Sequence, residues 1–128
     1  MGIEMATVSK FEDLDAWKRA RELANMVYDF AKSGPLVRDF SLCDQMQRSA
    51  VSVMSNIAEG FERDTTPDLI HFLFIAKGSA GELRSQLYLA HDQQMIASDQ
   101  FDSAMALCRR TSHLLSKLIS YLKGKLQK

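Results

Sequence analysis

Several side-chain groupings in this 128-residue chain are of types that carry chemistry. Glu59 and Glu82 place carboxylates in consecutive helical segments, the arrangement that bundle-core di-iron centres use together with Glu-x-x-His pairs. No Glu-x-x-His occurs, and His71, His91 and His113 have neither the HExxH nor the zinc-finger spacing. No metal or cofactor is therefore expected. Nucleophilic catalysis needs a serine, cysteine or threonine held against an oriented base, and the sequence has no GxSxG, GxxxxGK or GxGxxG. The reading is a non-enzymatic protein. A bundle enzyme using Glu59, Glu82 or His71 would require bound metal or a closed cavity between the second and third helices. Cys43 and Cys108 have no CxxC partner and are expected to be free thiols, buried or half-buried.

A second grouping is polar. Gln45, Arg48, Ser52, Asn56 and Glu59 recur at steps of three and four beside an apolar seam. They form either the solvated face that every surface helix has or a partly buried hydrogen-bonded network, because Ser and Asn are modest helix formers. Lys77-Gly78-Ser79-Ala80-Gly81-Glu82 offers matching material. Two mid-helix glycines cost about 1 kcal/mol each relative to alanine, and close helix packing, within the bundle or between subunits, is the physical reason for tolerating them.

The third grouping is basic. Lys and Arg balance Asp and Glu at 16 each, so no whole-protein field steers the chain to nucleic acid. Residues 109–128 nevertheless carry Arg109, Arg110, Lys117, Lys123, Lys125 and Lys128 and no acid, leaving 10 basic against 16 acidic residues elsewhere. Such an arc, like Lys18, Arg19 and Arg21 earlier in the chain, is either a solvated helix face or a surface that follows phosphates. No aromatic stacking motif or helix-turn-helix pattern accompanies it in the linear sequence.

Four amphipathic segments must position these groups. The first spans about residues 13–33, with Leu14, Trp17, Ala20 or Arg21, Ala24, Val27, Tyr28 and Ala31 on one stripe, and stops at Ser33-Gly34-Pro35. The second spans about 41–60, capped by Ser41 with Asp44 completing a capping box, and its seam is Leu42, Met46, Ala50, Val53 and Ile57. The third spans about 66–95. There Thr66 caps, Pro67 takes the first helical position, and Asp68 meets the positive helix end. The fourth spans about 98–124, capped by Ser98, with Phe101, Met105, Cys108, Leu115, Leu118, Ile119 and Leu122 inward. Short connections and the absence of period-2 alternation predict an all-α, single-domain, antiparallel up-down-up-down four-helix bundle.

No apolar run approaches the roughly 18 residues that cross a bilayer, and Met1-Gly2-Ile3-Glu4-Met5 lacks a signal-peptide pattern, so no membrane partner and a cytoplasmic address are expected. Ala6 stands where the myristoylation pattern wants Ser or Thr.

Phe11-x-x-Leu14-x-x-Trp17-Lys18, the stretch Gln45-x-x-Arg48-x-Ala50-x-Ser52-x-x-x-Asn56-Ile57-Ala58-Glu59-Gly60, and Phe72-Leu73-x-x-Ala76-x-Gly78-Ser79-x-x-Glu82-Leu83 are all present. Together they resemble the four-helix-bundle family of proteins encoded in intervening sequences of bacterial 23S ribosomal RNA genes. The chain departs from that pattern at Pro35-Leu36-Val37-Arg38-Asp39, where the family has an acidic residue and then Arg after its proline. The resemblance implies a homo-oligomer, a pentameric ring, and groups Gln45, Arg48, Ser52, Asn56, Glu59, Ser79 and Glu82 as one polar network. Through the similar accessory variability proteins of diversity-generating retroelements, it also implies nucleic acid or a nucleic-acid enzyme as partner. Direct binding of RNA or DNA would then fall to Arg109, Arg110, Lys117, Lys123 and Lys125.

Overall fold

The computed structural model describes residues 8–127; the readings of Met1–Ala6 and Lys128 lie outside the described residues. Four helices follow one another: α1 (Asp15–Phe30), α2 (Phe40–Glu62), α3 (Thr66–Asp92) and α4 (Ser98–Leu126). Short 3-10 turns precede α1 at Phe11–Asp13 and α2 at Pro35–Arg38. Each helix packs on its sequence neighbours, and α1 closes the ring on α4. Late α2 meets early α3 at Gly60 and Phe72, and Ser52 meets Ser79. Late α3 meets early α4 at Tyr88 and Phe101, and Phe74 meets Lys123. Both pairs therefore run antiparallel, as the short connections predicted.

The four apolar seams converge on one core. Leu42, Met46, Ala50, Val53 and Ile57 of α2 are buried, as are Leu69, Leu73, Ala76, Ala80, Leu83, Leu87 and Ala90 of α3. In α4, Met105, Cys108, Leu115, Leu118, Ile119 and Leu122 are inside, whereas Phe101 is half-buried. Tyr28 is a correction, because it lies on the outer margin of the α1 stripe and is exposed. Phe11 packs edge-on against Trp17 at 5.2 Å, with Leu14 buried beneath, so the three apolar residues of the amino-terminal motif anchor the entry to α1.

The helix ends differ from the sequence reading in specific ways. α1 stops at Phe30, three residues early, and the chain turns through Gly34 at φ 84° before Pro35. The cap of α2 is Asp39, whose Oδ1 accepts the Leu42 N–H at 3.0 Å; the Ser41 hydroxyl instead accepts from Gln45 Nε2 at 3.2 Å. Thr65, not Thr66, caps α3, accepting the Asp68 N–H at 3.2 Å. α3 ends at Asp92 rather than near residue 95, with Gln94 in the left-handed region at φ 58°. At α4 the cap position is Ala97, which has no side-chain acceptor, and its own N–H is taken by Gln100 Oε1 at 2.8 Å. Ser98 Oγ lies 3.3 Å from His91 Nε2 across the α3–α4 turn.

At Gly60 the departure runs the other way. The helix runs through it to Glu62, because the residue is a contact rather than a terminator. A Cβ there would stand 2.7 Å from Phe72 Cβ and 3.3 Å from the Leu69 carbonyl oxygen. Only a residue without a side chain lets α2 and α3 cross so closely.

Candidate nucleic-acid interface and polar clasp

The polar stripe of α2 divides at the helix surface. Ser52 Oγ and Ser79 Oγ lie 2.7 Å apart across the α2–α3 seam, and Asn56 Nδ2 donates to the Ser52 carbonyl at 2.8 Å and to its hydroxyl at 3.0 Å. These three half-buried or buried groups form a satisfied clasp between helices. Gln45, Arg48, Glu59 and Glu82 are exposed and do not join it. Arg48 pairs with Asp44 at 2.9 Å and Arg63 with Glu59 at 3.2 Å, each one helical turn apart and solvated. Of the seven residues grouped by the family motif, the fold brings three together.

The glycines of α3 do not serve the bundle interior. Ser79 and Ala80 face inward, but nothing lies within 4 Å of a Cβ at Gly78 or Gly81. Their smallness is presented outward. The helix is apolar there too: Phe74, Ile75, Tyr88 and Leu89 are 44%, 38%, 47% and 49% exposed. At 100° per residue Ile75 falls about 40° from Ser79, toward α2, with Leu89 between Ile75 and Phe74 on the face turned from the core. Phe74, Gly81, Ser85 and Tyr88 share the edge toward α4.

All five cations assigned to α4 are exposed. Arg109 Nη2 reaches the Tyr88 hydroxyl at 3.3 Å, and Lys123 Nζ stands 4.9 Å over the Phe74 ring. Arg110, Lys117 and Lys125 are turned roughly 80–160° away along the helix surface, toward the opposite flank; there Lys125 Nζ lies 5.8 Å from the Tyr121 ring. The basic arc is thus two edges. The one bordering α3 is interleaved with aromatic rings, which the linear sequence concealed because rings and cations come from different helices. The exposed Lys123–Phe74 contact contributes about 0.5–1 kcal/mol, so it opens readily to a competing ligand.

The thiols are free: Cys43 is half-buried and Cys108 buried. Cys108 Sγ donates to the Ala80 carbonyl at 3.1 Å. Burial pushes its pKa up to about 11, against the pull of the Arg84 and Arg109 guanidiniums. Burial, with Asp44 and Asp39 nearby, also raises Cys43. Among the described residues, no three His, Cys, Asp or Glu side chains gather as a metal-binding set. No described helix is long and apolar enough to cross a membrane.

An all-α four-helix bundle with a serine–asparagine clasp between α2 and α3 defines the class. Within that class, the chain belongs to the family of 23S rRNA-intervening sequence proteins, whose model matches residues 12–117. A solved structure from Bacteroides thetaiotaomicron VPI-5482, described as a protein with unknown function from the S23 ribosomal protein family, is similar. It aligns with a TM-score of 0.74 at 25% identity, over 81% of this chain and 97% of that one. No curated protein gives a significant match.

Proposed function

We propose that the protein is a non-enzymatic, homo-oligomeric helical interaction module. The observation that carries this reading is the outer face of α3, where Ile75 and Leu89 stand exposed beside an open Gly78. A helix apolar around most of its circumference is built to be covered on both sides, and a glycine between two aliphatic side chains lets a second backbone approach. The family resemblance favours a closed ring of five. Sedimentation at micromolar concentration tests this: a multiple of the 14.5 kDa chain mass is expected, falling to one chain in the Ile75→Asp/Leu89→Asp variant. A 14.5 kDa species for the unaltered protein across that range rejects it.

A second reading is association with nucleic acid through α4, supported by five exposed cations and no acid in residues 109–127. Binding of a labelled RNA should weaken steeply with salt and on neutralising Arg109, Arg110, Lys117, Lys123 and Lys125. Binding indifferent to salt rejects this second reading.

A further inference from the structure

Resting on that nucleic-acid reading, we infer that the α3–α4 edge is a track for single-stranded nucleic acid, with Phe74 and Tyr88 as stacking platforms for unpaired bases. The two rings lie on one stripe of α3, about 21 Å apart at 1.5 Å per residue, and nearly half of each is open to solvent. Between them on the same stripe stand Gly81 and Ser85, so the floor joining the platforms is low, and nothing lies within 4 Å of a Cβ at Gly81. That length accommodates about six nucleotides at the stacked spacing of 3.4 Å per strand.

Between the two rings the charge of this edge is basic, and the exposed acids Asp92 and Asp102 lie beyond its Tyr88 end. Arg109 flanks Tyr88 and Lys123 flanks Phe74. Between residues 109 and 123 α4 has no acid, and between 74 and 88 α3 has one, Glu82, on the edge turned toward α2. The occupant must therefore be a polyanion that also offers flat apolar faces. Duplex nucleic acid offers the charge but keeps its base faces stacked internally, whereas a single strand offers both. Aliphatic Ile75 lies about 100° around α3 from Phe74, outside the track, and Leu89 stands at its border.

The test uses the full chain and fluorescence anisotropy with a labelled, unstructured 12-nucleotide RNA, compared with the same strand annealed to its complement. Phe74→Leu/Tyr88→Leu keeps apolar volume at half-exposed positions and removes the π-faces. It is expected to weaken single-strand binding by ten- to a hundredfold while leaving duplex affinity unchanged; Tyr88→Phe should bind nearly as the unaltered protein does. Arg109→Ala/Lys123→Ala should weaken both probes and reduce the single-strand salt slope by roughly 1.4. If the charge variant weakens binding and the leucine variant does not, the phosphate reading stands and the stacking track is overturned. If the unaltered protein binds neither probe at low salt, both fall. If the leucine variant instead lowers the sedimenting mass with RNA affinity intact, the rings belong to a contact between copies, and the inference is overturned.

Discussion

Replacing Gly60 by alanine tests the tightest feature of the bundle. In an ordinary helix interior this exchange stabilises by about 1 kcal/mol, because alanine loses less backbone entropy. Here the new Cβ would meet Phe72 Cβ at 2.7 Å and the Leu69 carbonyl oxygen at 3.3 Å. Neither is the free end of a flexible side chain, so the helices themselves must separate. Overpacking of this kind costs about 1–3 kcal/mol and outweighs the entropy gain. The expected net loss is up to about 2 kcal/mol, a fall in Tm of up to roughly 8 °C for a domain of this size. Gly81→Ala is the matched control, since open space surrounds it, and it should gain up to about 1 kcal/mol. Urea unfolding followed by helical circular dichroism, at one protein concentration, measures both. A Gly60→Ala protein as stable as Gly81→Ala would refute the close crossing of α2 and α3.

Cys108 makes stability fall at high pH. Between pH 9.0 and about 11 the unfolded thiol ionises while the folded one keeps its proton. The folded state then binds more protons, so stability declines with rising pH by about 1.4 kcal/mol per unit, and Cys108→Ala should flatten most of that slope in urea titrations. For the clasp, Ser52→Ala and Ser79→Ala should each cost about 1–2 kcal/mol by stranding a partner. The double variant should lose no more than either one, which a double-mutant cycle reads directly; strict additivity would show the pair is uncoupled. Asp39→Ala should lower the thermal midpoint by removing about 1 kcal/mol of capping, whereas Ser41→Ala should leave it nearly unchanged; the reverse order would restore Ser41 as the cap.

The helical order and its seams were legible because they rest on periodicity, a property of one segment at a time. Leu42, Met46, Ala50, Val53 and Ile57 are buried as their spacing demanded. What was illegible depends on relations between segments. Gly60 reads locally as a stop and is in fact a crossing point, a distinction only the position of Phe72 decides. The caps at Asp39 and Thr65 were each displaced by one or two residues toward a neighbouring hydroxyl, because Asp, Ser and Thr adjacent in sequence compete for the same role. The basic residues of α4 could be found from charge alone. That Phe74 and Tyr88 lie beside two of them could not, since neither ring is near those cations in sequence.

The unequal lengths of the helices order the events of folding. α1 has 16 residues and the next shortest, α2, has 23. Three residues, Arg63 to Thr65, join α2 to α3, while nine separate α1 from α2. Closing the α2–α3 hairpin therefore costs the least chain entropy, and its crossing at Gly60 and the Ser52–Ser79 contact reward that closure at once. α1 docks afterwards onto a surface already formed. In the folded protein the same hierarchy predicts that α1 opens first, which native-state hydrogen exchange would read as the earliest-exchanging helical amides.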